Sequence, residues 1–498
     1  MITLGQQKIG PLSMLLQIII AATVVLLCLL LPDLTPFILA GAAGSMILFY
    51  WGIKWDVTLW VWFWVLSYGL LDWPDWKFKP VGFFNLTIPR LIYFATIIAF
   101  VFRWISHQQR FRFDRLLLYA MLFLLVYVGL SAQITGWHSN IKEISSAPYF
   151  RYLGSIVFPF VIFYLLYNTN IAESEIKRGL LLLTAYGWYA IYIGYLQAAA
   201  LRGFSAARAL IWPGYINDLE YGIHADRARG AFMGASPQAV FLVLLFFVDL
   251  YLIRKLKGVY RVLLILQTAL IPAALYFTGV RSAFVGFAVC LIIWTLFSFR
   301  GIKRLLALSL ILLVAGTGIF ATWDKLSRDK RLTQDTISGR IDLFKQTMHI
   351  SREHPWTGVG FGHFVDAQQE LPRNLDYGHH VSGVLVEHNL FLGMLAETGV
   401  IGLLLTVAVF VLLLQQSIKL YRKIPPRSPG LISREFVVLF WVVFANYMVD
   451  AMFRDPLWDV FANGLLWSIA GLMVCCNRML EPTPLELPIV PIEIKSEV

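Results

Sequence analysis

Apolar residues run through this chain in long blocks separated by short polar connections, and block length decides what they are. Crossing roughly 30 Å of hydrocarbon at about 1.5 Å per residue takes a helix of some 20 apolar residues. Blocks of that kind fall at 12–31, 34–52, 56–71, 88–102, 116–132, 149–167, 179–199, 238–253, 259–278, 282–299, 304–322, 389–414, 436–452 and 457–476. The pattern predicts an all-α, polytopic integral membrane protein with about 12–14 transmembrane helices. The first block is long and carries no small-residue cleavage site before Leu34, so it reads as a retained helix.

Two interruptions exceed an ordinary connection, 200–237 and 323–387, and they set the predicted organisation. Residues 1–322 form a membrane domain of about eleven spans with an outer loop at 200–237. Residues 323–387 form a large outer loop containing an amphipathic helix, and 388–477 return to the membrane. The tail 478–498, Pro-rich and mildly acidic, reads as disordered.

With 58% hydrophobic and 14% charged residues, the composition excludes a soluble enzyme of this length. An excess of 41 Lys+Arg over 30 Asp+Glu would suit nucleic acid, but in a membrane protein the placement of the basic residues matters more. Arg103, Arg110, Arg112, Arg115, Lys177, Arg178, Arg254, Lys255, Lys257, Arg261, Arg300, Lys303, Arg304, Lys419, Arg422, Lys423, Arg427 and Arg434 fall in alternate connections. The positive-inside rule then puts both termini in the cytoplasm and the two long loops outside. No nucleic-acid partner is expected. Cys28, Cys290, Cys475 and Cys476 all lie in predicted spans, so neither a disulfide framework nor a cysteine metal site is expected.

Chemistry is expected on the outer side. Eight of the nine histidines fall there, and His349, His354, His363, His379, His380 and His388 crowd into the long loop and its exit. None has H-E-x-x-H spacing, so no metal is expected. In "TGVRSAF", Arg281 stands at the start of a span, where its guanidinium adds to free backbone amides and suits a phosphate or diphosphate. The bland alternative is an arginine that snorkels to lipid headgroups. In "SGRIDLFKQTMHISREHP", Ser338 can cap a helix with an Ile341, Phe344, Met348 stripe that rests on the membrane surface or on the spans, holding Arg340 at headgroup level. The glycines of "TGVGFGHF" read as a structural turn rather than a phosphate cradle.

In "VEHNLFLGMLAETG", His388 precedes an apolar helix and can act as a general base, oriented by Glu387 or Asn389; a simple helix-capping histidine is the alternative. Glu397 lies about 13 Å further along that helix, where a carboxylate needs a basic or polar partner from another helix. In "HADRARGAFMGAS", Arg227 and Arg229 extend an anion-binding surface or merely flank a span.

Taken together, "TGVRSAFVGFAV", "SGRIDLFKQTMHISREHPWTGVGFGHF" and "HNLFLGMLAETGVIGLLL" resemble the O-antigen ligase and Wzy-type polysaccharide polymerase superfamily of bacterial membrane glycosyltransferases. The resemblance is strong from Thr278 to Leu405; "RARGAFMGAS" departs from the family's pattern by carrying Ala235-Ser236 where Asn-Pro is usual. It implies a GT-C-like architecture in the inner membrane and a periplasmic active site without cofactor or metal. The donor it implies is an undecaprenyl-diphosphate-linked saccharide; the acceptor is a glycan or lipid A-core, and other polysaccharide assembly proteins would be partners. Arg281 and Arg340 would bind the diphosphate, helped by Arg227 and Arg229, and His388 would activate the acceptor hydroxyl, supported by Glu387, Asn389 and Glu397. Chain length and span number lean towards a polymerase rather than a ligase. The rival class is a lipid-linked glycan transporter or flippase, which would place charges at the midplane of symmetric halves; no such symmetry is visible.

Overall fold

The structure is a computed structural model that describes residues 57–70, 87–106, 111–141, 147–211, 227–232, 234–309, 334–371, 389–426, 428 and 430–480. Among them there is no strand, and ten helices are long and apolar enough to cross a membrane. The chain is a multi-pass, all-α membrane protein. In order the helices used below are α1 (Val57–Leu70), α2 (Ile88–Ser106), α3 (Leu116–Thr135), α4 (Ala147–Arg151), α5 (Phe158–Asn168), α6 (Glu173–Ala200) and α7 (Ser205–Ala209). They continue with α8 (Ala235–Lys255), α9 (Val259–Thr278), α10 (Arg281–Ser298), α11 (Gln334–Glu353), α12 (Phe364–Glu370), α13 (Leu390–Lys423), α14 (Arg434–Phe453) and α15 (Val460–Met479). A π-helical turn, Tyr152–Val157, joins α4 to α5, and a short 3-10 turn, Pro456–Trp458, joins α14 to α15.

Ten of the blocks read from the sequence, from 88–102 onwards, correspond to these crossings. In the block at 56–71 the described residues form helix Val57–Leu70, 14 residues, with the flanking residues outside the described ones. The blocks 12–31 and 34–52 lie outside the described residues, as does 304–322 beyond residue 309, and so does the tail from 481.

The centre of the bundle is α15, buried almost throughout. Its glycines let neighbours approach closely: Gly471 lies against Phe163 and Leu166 of α5, and Gly464 against Trp64 of α1. Trp467 fills the space between Phe160, Phe163 and Phe410. Outward-pointing residues on α3 and α9, among them Phe123, Ile134 and Val259, are apolar and exposed, as a wall facing hydrocarbon requires.

The helix directions define two ends. Basic residues from the alternate connections gather at one: Arg103 meets Glu175, Arg254 meets Glu435, and Lys423 meets Asn477. The opposite end holds the starts of α10 and α13 and the ends of α3, α9 and α14. Chemistry was expected there.

Candidate active site

The long helix α13 is two helices. At Gly399, φ is 66° and ψ −171°, a region essentially closed to residues with a side chain, and the ladder breaks between Leu390–Thr398 and the longer membrane segment. A break strands backbone groups, and the glycine loop of residues 355–362 satisfies them. Val400 N donates to Pro355 O at 2.8 Å, while Val359 N and Gly360 N donate to Ala396 O and Glu397 O at 3.0 and 2.9 Å. Tyr127 of α3 donates to Thr398 O at 2.8 Å. Contact is so close that a Cβ on Gly358 would run into the carbonyl of Glu397, and one on Gly399 into that of Trp356. The loop therefore acts as a structural turn, with its Val359 and Gly360 amides committed to α13.

The first segment of α13 starts at Asn389, whose side-chain oxygen accepts from Phe391 N and Leu392 N at 2.9 and 3.1 Å. Its Nδ2 donates to Met452 O at the end of α14, 3.3 Å away. The cap is thus Asn389 itself, with both ends of its carboxamide engaged; His388, which it was expected to orient, lies outside the described residues. Near the other end of the segment Glu397, 1% exposed, finds the basic partner the sequence demanded: Arg151 Nη1 donates to Glu397 Oε1 at 2.6 Å.

Sequence reasoning missed Arg151. It is 4% exposed, and its second nitrogen, Nη2, donates to Asp455 Oδ2 at 2.8 Å. The planar guanidinium lies between the rings of Phe361 and Trp458, at 4.9 and 4.7 Å from their centroids. Asp455 also caps the 3-10 turn through Leu457 N at 2.9 Å. Beside it Arg454 binds Asp450 at 2.6 Å and Asp459 at 3.1 Å, which fixes the turn between α14 and α15. Burial pushes the Asp455 carboxyl up to about 6, against the pull of Arg151. One signal for Arg151 was available: it is an arginine inside an apolar block, at 149–167, where an ionisable residue marks function or a buried partner.

The sequence-predicted arginines converge on the same end. Cys290 bonds Val442 O and Gly286 abuts Asn446, so α10 and α14 run antiparallel and Arg281 lies beside the end of α14. Arg281 is exposed on the first turn of α10, whose N-cap residue, Val280, makes no side-chain cap. Ala228 N donates to Phe277 O at 3.0 Å, and Gln197 holds Arg229 N and Gly230 N at 2.8 and 2.7 Å. Arg227 and Arg229, both half-buried, therefore flank the α9–α10 turn that carries Arg281.

Helix α11 packs on the first segment of α13 through Leu343 and Ile350 against Ala396, with Arg340 exposed one turn earlier. One expectation needs correction here. The helix is already formed at Gln334, so Ser338 lies inside it rather than at its N-cap. The face packed on protein is Leu343, Thr347 and Ile350, whereas Ile341 and Phe344 of the expected stripe are each 49% exposed, which leaves them to the membrane-surface alternative rather than to the spans.

The histidines divide. His363 is a structural clasp: Nδ1 meets Asp366 Oδ2 at 2.8 Å and Nε2 meets Gly136 O at 2.9 Å. His349 pairs with Glu353 at 3.2 Å. Glu387 and His388, together with His379 and His380, lie outside the described residues. Among the described residues no group of three or more His, Cys, Asp or Glu is placed to hold a metal ion.

Comparison with known proteins meets this end of the molecule. Residues 263–407 match the family model described as O-antigen ligase. Over this stretch the chain is similar to the O-antigen ligase family. An O-antigen ligase of Pseudomonas aeruginosa is 32% identical over 150 residues, covering 30% of this chain and 33% of the relative. The aligned stretch thus spans about a third of the length of the curated relative it matches. The O-antigen ligase match runs from α9 into the membrane segment of α13 and includes Arg281, Arg340, His388 and Glu397. Arg151, Arg227, Arg229 and Asp455 fall outside it.

Proposed function

We propose that the protein is a membrane glycosyltransferase of the inner membrane, moving a saccharide from an undecaprenyl-diphosphate-linked donor to a glycan acceptor on the periplasmic face. The observation that carries the reading is the convergence of Arg227, Arg229, Arg281 and Arg340 with the start of α13 at one end of the bundle, inside or beside the stretch that matches O-antigen ligases. A lipid-tethered donor holds its diphosphate at the membrane surface. Arginines on several elements there suit a leaving group whose negative charge grows as the bond breaks.

In this reading the acceptor hydroxyl attacks the anomeric carbon while the bond from that carbon to the diphosphate oxygen breaks. Arg281, at the N-terminus of α10, and Arg340 hold the departing diphosphate, with Arg227 and Arg229 extending the basic surface. His388, immediately before the Asn389 cap, accepts the hydroxyl proton. The termini are cytoplasmic, in keeping with the basic residues gathered at the opposite end. Ligase and polymerase share this donor chemistry and differ in acceptor: a lipid A-core in one case, a second lipid-linked repeat unit in the other.

The test is reconstitution with a purified undecaprenyl-diphosphate-linked saccharide and acceptor. A new glycosidic bond with release of undecaprenyl diphosphate is expected. Movement of the intact lipid-linked saccharide across the vesicle without bond formation would establish the transporter class instead. In a deletion strain, polymer stranded on the carrier lipid assigns a ligase, and surface glycan of single capped repeats assigns a polymerase.

A further inference from the structure

The first segment of α13 has a mechanical problem that the rest of the bundle does not. Asn389, which caps it and follows His388 directly, stands eight residues from Glu397, a lever of about 12 Å at the helical rise. Past Glu397 the helix breaks at Gly399, so the membrane segment of α13 does not fix the direction of the lever. A tilt of about 10° about the Glu397 end would move Asn389 by roughly 2 Å at that length. Displacements of about 1 Å can cost on the order of a hundredfold in rate where reacting groups must align.

Ties at both ends of the segment oppose such a tilt. At its start, Asn389 Nδ2 holds Met452 O. At its end, the 355–360 loop pairs with the carbonyls of Ala396 and Glu397, and the side chain of Glu397 meets Arg151. Among the described residues Arg151 is the hydrogen-bond donor to the Glu397 carboxylate, whose Oε2 has none. The same guanidinium reaches Asp455, three residues beyond Met452. Thus one buried side chain joins the base of the lever to the turn that follows the residue holding its tip. A fork with two donor edges does this; a point charge cannot hold both carboxylates in one plane. The π-helical turn that follows Arg151 directly is a local irregularity of the kind found at functional sites.

We propose that Arg151 is a positioning residue for the transfer reaction, setting the orientation of the Asn389–Glu397 segment by bridging Glu397 to Asp455. The inference rests on the reading above, in which this segment presents His388 to the acceptor. It adds residues on both sides of the O-antigen ligase match to the working site.

The experiment uses the full chain in nanodiscs, with the undecaprenyl-diphosphate-linked saccharide as donor. Arg151→Lys keeps the charge and loses the bridge. The expected result is a melting midpoint within a few degrees of the parent, kcat lowered about 10- to 100-fold with donor KM unchanged, and faster hydrogen exchange at amides of Leu390–Glu397. Parental kcat in the folded Arg151→Lys protein, or a change confined to KM, would overturn the proposal. If that variant does not accumulate, Arg151→Met with Glu397→Gln and Asp455→Asn removes every charge of the bridge together. The same split between kcat and KM then decides. His388→Ala is run alongside: full activity there sinks the base assignment, and the exchange rates of Leu390–Glu397 alone then decide whether Arg151 orients the segment.

Discussion

The two ends of the bundle use the same pairs of residues under opposite conditions. At the basic end, Arg103 meets Glu175 at 3.3 Å and Arg254 meets Glu435 at 2.8 Å, with both arginines and Glu435 partly open to solvent. At the other, Arg151 meets Glu397 and Asp455 at 2.6 and 2.8 Å with side chains that are 1–3% exposed. An open pair is screened and contributes little, whereas a sealed pair strands a buried charge when one member is removed. The difference teaches where the chain is tolerant. Its basic end sits partly open to solvent, whereas the Arg151, Glu397 and Asp455 side chains at the site end are sealed from it.

Removing the sealed cation should show the largest effect. Arg151→Ala is expected to cost about 3–5 kcal/mol, the range for breaking a buried pair, and to lower the melting midpoint in detergent sharply or prevent accumulation. A parental midpoint would mean that the bridge carries no structural weight.

Protonation should sharpen the contrast next. Asp455 faces Arg151 and Glu397, with Asp450, Arg454 and Asp459 across the turn, and burial holds its carboxyl at about 6 in the folded state, above its ordinary value of 3.8. The stability this group contributes is fully present below about 4 and is lost as pH rises through about 6. The change amounts to at most about 3 kcal/mol for a shift of roughly two units. The midpoint of the parent protein should therefore fall across that window more than that of Asp455→Asn. Equal slopes would remove Asp455 from the account.

The break in α13 comes third. Gly399→Ala puts a side chain into a glycine-only region and against the Trp356 carbonyl, and should cost roughly 1–3 kcal/mol by thermal unfolding. The smallest change belongs to the basic end, where Arg254→Ala is expected to shift stability by no more than about 1 kcal/mol. If Arg254→Ala matched Arg151→Ala, the distinction between the ends would be lost.

Local signals explain what was legible in the sequence. Block length located ten crossings, and the alternation of basic residues sorted the two ends, because both depend on residues close in the chain. The need of Glu397 for a basic partner was also readable, since a carboxylate in an apolar helix demands one. The identity of that partner was not, because Arg151 lies 246 residues away. Nor was the division of α13: residues 389–414 are apolar on both sides of Gly399, and only the distant loop 355–360, donating into the break, shows why it is tolerated. Which face of α11 packs on protein was not legible for a related reason. Ile341 and Phe344 have the spacing of a stripe, but it is Leu343 and Ile350 that face Ala396 and Phe364, which the sequence of α11 does not contain.

The central claim, that this end of the bundle performs glycosyl transfer through a base and a diphosphate-binding arginine, is tested most directly by single-turnover transfer from purified undecaprenyl-diphosphate-linked saccharide. The account predicts that His388→Ala and Arg281→Ala, inserted and melting like the parent, each lose at least about a hundredfold in rate. Parental rates in both variants would contradict it.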